Sequence, residues 1–176
     1  MIPVVQKVIQ HYTKLKQSPT LSDLWEIDAM LLENQACLFV TLYHKWEICG
    51  SAGNIKEIKS NTAEELVENT LWALQDSRFT NIDINDAESI KIRVDVITER
   101  NIIPEWGMQH IDPVTHGILV LKKDYQHMAA ILPNIDPKIL TGSDYTALLG
   151  KKLWIKEFKE KEYIVYKIAT QQETNF

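Results

Sequence analysis

The segment EICGSAGN, residues 47–54, places a thiol and a hydroxyl group beside glycines, directly after a hydrophobic run. Cys49 and Ser51 are the candidate nucleophiles, since a thiol or hydroxyl can attack an electrophile once a base has taken its proton. His116 is the candidate base, and backbone N–H groups in this segment would form the oxyanion hole. The spacing differs from a G-x-S-x-G elbow, because a glycine touches Ser51 directly.

The two glycines, Gly50 and Gly53, allow two other interpretations of the same segment. A glycine-rich turn can present N–H groups to a phosphate, but no Lys follows in the GK[ST] manner. Alternatively, the glycines permit a turn or bulge in which Ser51 and Ala52 fit because they are small. We favour this structural interpretation and keep Gly50 and Gly53 as candidate binding positions.

One loop carries residue types that ligate metals. His110, Asp112 and His116 share it, with Glu105 nearby. Imidazole and carboxylate groups suit zinc or iron, but H-x-D-x-x-x-H is not an established ligand spacing, and Asp also serves to form turns. We therefore expect no metal and no cofactor, and keep these residues as the alternative ligand set.

Asp76 and Arg78 are close enough in sequence to share one network at the end of a predicted helix. A guanidinium in this place could bind a carboxylate or phosphate ligand. The alternative is that Arg78 caps the helix C-terminus, where cations are favoured. The candidate binding residues are thus Gly50, Gly53, Asp76, Arg78 and His116.

Residues 138–167 contain seven lysines against four acidic residues, with Trp154, Phe158, Tyr163 and Tyr166 among them. Basic and aromatic residues together can bind nucleic acid through phosphate contacts and base stacking. Alternating aromatics in a hairpin also form one packed face of a sheet. We favour packing here and expect nucleic-acid binding to be the less favoured alternative.

Composition favours a globular protein. The chain has 176 residues, 45% of them hydrophobic, and a net charge of −5, which does not favour nucleic acid or an anionic membrane. No apolar run approaches the ~20 residues of a membrane helix, and the start lacks the apolar core of a signal peptide. The two cysteines fit a reducing compartment, so we expect a cytoplasmic protein without membrane attachment.

Hydrophobic periodicity predicts paired strands with helices between them, and therefore an α+β fold with mostly antiparallel sheets and flanking helices. Thr62 and Glu65 suggest a capping box, and Lys91, Arg93 and Asp95 suggest a solvent-facing side of one strand. The predicted helices cover residues 3–16, 62–76 and 143–151. The predicted strands cover residues 36–44, a short segment ending at Gly50, 89–99, 117–123 and 127–132, with a terminal hairpin of WIKEFK and YIVYKIA. We expect one domain over residues 1–170 and a disordered tail over 171–176.

The order of several short motifs resembles that of the AMMECR family, the proteins named after the AMME chromosomal region candidate gene. The family's Leu-Arg-Gly-Cys-Ile-Gly signature falls on residues 48–53, so that its Arg falls on Cys49 and its Cys on Ser51, while both glycines remain. The other matching motifs are FVTL at 39–42, D-x-R-F at 76–79, V-D-V at 94–96, H-G at 116–117 and L-P-N-I at 132–135.

The resemblance implies an α+β fold of two interlocked lobes with a cleft between them, and an undefined biochemical role. It suggests Memo-like or radical-SAM proteins as partners. The leading hypothesis is a binding or accessory protein that acts with a partner enzyme. The alternatives are an enzyme acting on a small metabolite in the cleft, through Ser51, Arg78 and His116, and nucleic-acid binding through the C-terminal hairpin.

Overall fold

The computed structural model describes residues 1–78, 87 and 89–176. Within them the fold is α+β with antiparallel strand pairs, as predicted, and the strand order is β2-β1-β3-β6-β4-β5. The helices are α1 (Ile2–Leu15), α2 (Ala29–Glu33), α3 (Thr62–Leu74) and α4 (Asp144–Lys152). The strands are β1 (Leu38–His44), β2 (Glu47–Gly53), β3 (Lys91–Ile102), β4 (Gly117–Lys122), β5 (Met128–Ile131) and β6 (Tyr163–Thr174). No helix in the described part of the chain has the length and apolar character that a bilayer crossing requires.

The chain forms two compact units. Unit 1 comprises Met1–Val96 and Gln172–Phe176, and unit 2 comprises Ile97–Gln171. The division into units is compatible with a domain of two lobes, and the single domain and its cleft stay predictions.

The predicted disordered tail is wrong, because β6 continues to Thr174. The Asn175 N–H donates to the carbonyl of Ile92 at 3.2 Å, and the Ile92 N–H donates to Asn175 Oδ1 at 2.7 Å. The Phe176 ring then packs edge-on against Tyr43 and Trp46. Polar side chains hid this segment from a hydrophobicity pattern, since its order comes from main-chain hydrogen bonds.

The core of unit 1 lies where α1 and α3 pack on one face of β1, β2 and β3. The amphipathic pattern of residues 3–16 correctly predicted α1, whose buried face is apolar. Alternate residues of the strands supply the other side of this core, as expected for a sheet with helices on one face. Its fully buried side chains include Val5, Val8, Leu38, Val40, Leu42, Leu66 and Val94.

β2 extends through Gly53, where the sequence suggested a turn after Gly50. The reversal between β1 and β2 lies at Lys45 and Trp46, where the sequence also indicates it, and both residues have positive φ. Leu42 pairs with Gly50 and Tyr43 with Ile48, so the register shift leaves Cys49 as the extra residue of a bulge. Of the structural alternatives for the glycines, a bulge is present and a turn at residues 50–53 is not.

Gly50 allows α3 to lie directly on β2. A Cβ added at Gly50 would stand 2.0 Å from the carbonyl oxygen of Ala73, which is backbone and cannot rotate away. Any side chain at this position would therefore push the last turn of α3 off the strand.

The N-terminus of α3 is capped differently from the prediction. Asn61 is the N-cap, and its Oδ1 accepts the Glu64 N–H at 2.9 Å. Glu65 is instead buried, where its carboxylate accepts hydrogen bonds from Asn54, Asn69 and the Lys59 N–H. The Thr62–Glu65 capping box is therefore wrong, because the buried carboxylate organises the loop before the helix.

The predicted solvent-facing side of β3 is also buried. Arg93 and Asp95 are 3% and 0% exposed, and Arg93 Nε donates to Asp95 Oδ2 at 2.6 Å. Alternation of charged and apolar residues normally marks one wet face, but charges two residues apart on a strand share a face and can pair there.

The C-terminal hairpin is wrong, because residues 154–159 form no strand and β6 pairs with β4. Phe158 and Tyr163 are buried in the core of unit 2, with ring centroids 4.7 Å apart. α4 packs on the same core through Tyr145 and Leu149. The aromatic residues proposed for a nucleic-acid face are thus divided between core and surface.

We predict that Gly50→Ala lowers the free energy of unfolding by about 3 kcal/mol, since the methyl group overlaps the Ala73 carbonyl. Urea denaturation followed by circular dichroism measures this loss. Gly150→Ala is the matched control, because its nearest backbone atom is 3.5 Å away and alanine favours a helix. Equal stabilities of the two variants would contradict the close approach of α3 to β2.

Candidate functional site

Residues 48–53, the signature segment, lie on β2 at the edge of the sheet. Ser51 lies opposite Thr41 of β1, and their hydroxyl oxygens are 3.1 Å apart, within hydrogen-bond distance. The backbone of Ser51 is bound on its other side by side chains that follow α3. The signature segment therefore lies where β2 meets the residues that follow α3, and the backbone groups of Ser51 make the contacts between them.

Asp76 and Arg78 hold the outer edge of β2 in a pair of interactions that we call the Asp76–Arg78 clasp. Asp76 Oδ2 accepts the Ser51 N–H at 3.1 Å, and Arg78 Nη2 donates to the Ser51 carbonyl at 2.9 Å. The two side chains also bind each other, with Arg78 Nε 2.8 Å from Asp76 Oδ1 and Nη2 2.6 Å from Oδ2. The clasp thus supplies one donor and one acceptor where a neighbouring strand would supply them.

The clasp joins a carboxylate that is 8% exposed to a guanidinium that is 37% exposed. Burial alone would raise the pKa of Asp76, but hydrogen bonds from Arg78 and the Ser51 N–H outweigh it, so the pKa is lowered. The hydrogen bond to Asp76 raises the pKa of Arg78. Both groups are therefore charged at neutral pH. The shared network predicted for them is present, whereas Arg78 is not the helix cap, since Gln75 occupies that position.

Cys49 has the properties of a packing residue. It is half-buried against the core of unit 1, and burial raises the pKa of its thiol to about 11. The thiolate is the nucleophilic form of cysteine, and at neutral pH this environment suppresses it. This environment speaks against Cys49 as a nucleophile.

A polar row of half-buried Ser51 and buried Thr41 and Arg93 crosses three strands on the face of the sheet opposite the α1–α3 core. Thr41 is the cross-strand partner of both Ser51 and Arg93, and it is fully buried. Asp95 extends the row through its bidentate contacts with Arg93, at 2.6 and 2.8 Å. Sequence reasoning missed Arg93 and Asp95, although opposite charges two residues apart on a strand were a usable signal.

His116 and the predicted metal ligands lie in unit 2. His116 Nδ1 and Asp112 Oδ2 both contact the hydroxyl of Thr115, at 2.9 and 3.0 Å, and the His116 carbonyl accepts the Tyr145 hydroxyl at 2.7 Å. His110 contacts its neighbour Gln109. The part of the chain that the structure describes contains no group of three or more His, Cys, Asp or Glu able to hold a metal. Ser51 belongs to unit 1, so a Ser51–His116 pair stays a prediction.

Comparison with protein families matches the AMMECR1 model over residues 2–171. The chain belongs to the AMMECR1 family. Phe79 of the D-x-R-F motif lies outside the described residues, while the clasp gives Asp76 and Arg78 of that motif a definite role. The H-G motif is also explained, since a Cβ at Gly117 would stand 2.2 Å from the Ile131 carbonyl oxygen.

The chain is similar to a longer protein from Clostridium acetobutylicum and to a solved structure from Pyrococcus horikoshii. Protein CA_C1420 of Clostridium acetobutylicum is 30% identical over 101 residues, which are 56% of this chain and 20% of that protein. The matched region is therefore only a fifth of a longer relative. The crystal structure of the uncharacterized protein PH0010 from Pyrococcus horikoshii aligns with a TM-score of 0.75 at 18% identity, over 96% of this chain and 86% of that one. The latter likeness shows the fold alone.

We predict that Asp76→Asn lowers the free energy of unfolding by about 1–3 kcal/mol at pH 7, because charge-assisted hydrogen bonds to Arg78 and Ser51 are weakened. The exposed fraction of Arg78 places the loss toward the lower end. Denaturant unfolding measures it. Asp124→Asn is the control, since its ion pair with Lys122 and its hydrogen bond from the Gln126 N–H are exposed and are expected to contribute less than the clasp.

The stabilities of the wild type and Asp76→Asn can also be compared as a function of pH. Because the pKa of Asp76 is lowered on folding, its stabilisation is complete above about pH 4 and is lost as the pH falls through the folded value. The difference in stability between the wild type and Asp76→Asn therefore shrinks toward pH 3. A difference that stays constant to pH 3 would contradict the ionised clasp.

We predict that Cys49 reacts with iodoacetamide at pH 7.5 about 100-fold more slowly than an unfolded thiol, because its thiolate is rare at this pH. The rate rises with pH toward about 11. Peptide mass mapping separates Cys49 from the buried Cys37, and the protein in urea is the control. Modification at the rate of the unfolded control would contradict the suppressed thiolate, and only a faster rate would show that Cys49 is an activated thiol.

Proposed function

We propose that this chain is a binding or accessory protein of the AMMECR1 family that acts together with a partner enzyme. The exposure of its tryptophans carries this proposal. All five are at least half exposed, from Trp72 at 50% to Trp154 at 86%. Tryptophan is highly buried on average, and it is enriched among the residues that dominate binding energy at protein interfaces.

Several of these aromatic residues stand at backbone positions that display them. Trp46, Trp106, Tyr125 and Trp154 have φ between 55° and 68°, which is rare for bulky residues. Each is more than 60% exposed. Left-handed positions occur at tight turns, so these rings project from loop tips in both units and offer surface to a partner.

The chemistry of the signature segment agrees with binding more than with nucleophilic catalysis. The thiol of Cys49 is held in its protonated form, and the backbone of Ser51 is held by the clasp. The alternative of a metabolite enzyme using Ser51, Arg78 and His116 requires contacts that no observation favours. The Clostridium relative, in which the matched region is a fifth of the protein, is consistent with a domain that works beside others.

The experiment is affinity capture of the tagged full chain from its native cells under gentle conditions, with mass spectrometry of proteins and small molecules. Memo-like and radical-SAM proteins are the first partners to look for, and cytoplasmic fractions are the first source. We expect one stoichiometric protein partner. Replacement of a tryptophan at the interface should reduce its capture by about 30-fold, the effect of a 2 kcal/mol hot spot.

The matched control is Leu140→Ala, since Leu140 is 76% exposed but is not aromatic. We expect capture by this variant to equal that of the wild type. A clean protein with a bound metabolite, or undiminished capture by all five single tryptophan variants, would contradict the proposal.

A further inference from the structure

A groove of about 700 Å³ lies on the surface of unit 1, between α3 and the loop of residues 18–22 that follows α1. Val67 and Leu71 of α3 form its floor, with Pro19 and Leu21 of the loop on the other side. Its volume is within the range of binding pockets, about 300–1,000 Å³. None of the described residues that line the groove belongs to the clasp or to the polar row of Ser51, Thr41 and Arg93.

The rim of the groove is a row of three side chains on α3. Glu64, Glu68 and Trp72 are four residues apart, so they lie along one line of the helix surface. The row is about 12 Å long, which suits roughly two turns of a helix or four residues of extended chain. Trp72 stands at one end and is half exposed. An apolar floor beside such a ridge is the geometry in which another helix or a peptide packs.

The charged residues of the groove favour a cationic ligand over an anionic one. Among the described residues that line it, the charged ones are Lys59, Glu64 and Glu68, and Lys59 Nζ lies 2.7 Å from Glu68 Oε1. Glu64 Oε2 accepts the Ser60 N–H at 3.3 Å. One negative charge remains in excess after Lys59 is counted. A cationic side chain placed beside Trp72 would gain both ion-pair and cation–π attraction, whereas phosphate groups would be repelled.

We propose that this groove binds a basic amphipathic segment of a protein partner. The apolar side chains of the segment pack on Val67 and Leu71, and a Lys or Arg lies along the Glu64–Glu68–Trp72 row. The inference deepens the proposed binding function and rests on it, and it assigns one surface of unit 1 to that function. Trp72 is the residue on which affinity depends most, because it combines a large apolar area with an attraction for cations.

The test is an NMR titration of the full chain labelled with ¹⁵N. The five indole N–H signals are assigned by single Trp→Phe variants. The probes are two synthetic amphipathic peptides, one of leucine and lysine and one of leucine and glutamate. We expect the lysine peptide to shift the Trp72 signal first and at the lowest concentration, and the glutamate peptide to leave it in place.

Variants separate the groove from general charge attraction. The double change Glu64→Gln and Glu68→Gln should weaken binding of the lysine peptide about 10-fold, which corresponds to about 1.4 kcal/mol. Glu47→Gln removes an exposed charge of β2 outside the groove and should have no effect. The remaining amide spectrum shows whether each variant is folded.

Three results would overturn the inference. The first is a Trp72 signal that the lysine peptide does not shift, and the second is an equal shift of all five indole signals with that peptide. The third is equal affinity for the lysine peptide of Glu47→Gln and of the double variant with Glu64→Gln and Glu68→Gln. The proposed function fails separately, through the affinity capture. If the wild type captures a partner and Trp72→Ala captures it equally well, the binding function stands and the groove is not its site.

Discussion

The close approach of the Ala73 carbonyl oxygen to Gly50 controls the arrangement of unit 1. At 2.0 Å from a hypothetical Cβ, that oxygen fixes the last turn of α3 directly on β2. The chain leaving the helix therefore emerges beside the outer edge of the strand. Asp76 comes two residues after the helix ends at Leu74, and so it reaches the next residue of β2, Ser51. Gly50, which the close packing of α3 on β2 requires, thus determines where Asp76 and Arg78 can bind the backbone of the strand.

The clasp has two consequences for an edge strand. Unpaired backbone groups at an edge invite another chain to add to the sheet, and charged side chains are a common protection against this. Asp76 and Arg78 occupy the outward N–H and carbonyl of Ser51 at the middle of β2. The clasp also stiffens the strand next to the Cys49 bulge. The family resemblance puts an Arg and a Cys at positions 49 and 51, yet the strand here is held by groups outside the signature segment. The geometry of the segment therefore does not depend on those two side chains.

The sequence patterns predicted the apolar faces well and the polar ones poorly. The periodicity of α1, the strand over residues 36–44 and the α+β class follow from which side chains avoid water, and they were correct. Errors arose where buried polar groups were satisfied by other protein groups, as for Glu65 and Asp95, because a one-dimensional pattern records polarity and not pairing. The site shows the same division. The proximity of Asp76 and Arg78 indicated a network, but the contact with the backbone of Ser51 depends on the packing of α3.

The exposure of the tryptophans has a cost that can be estimated as the hydrophobic free energy that folding does not gain from them. A tryptophan side chain buries up to roughly 250 Å², so leaving half of it in water forgoes about 3 kcal/mol at 25 cal/mol per Å². Over five residues that sum is comparable to the whole stability of a typical domain, about 5–15 kcal/mol. Trp106 and Trp154 stand at left-handed positions, where the backbone conformation is also unfavourable, and both rings are mostly exposed. A partner that covers even part of this exposed aromatic surface would bury apolar area that stays in water in the isolated chain. This gain in free energy favours association with a partner as the function of the protein.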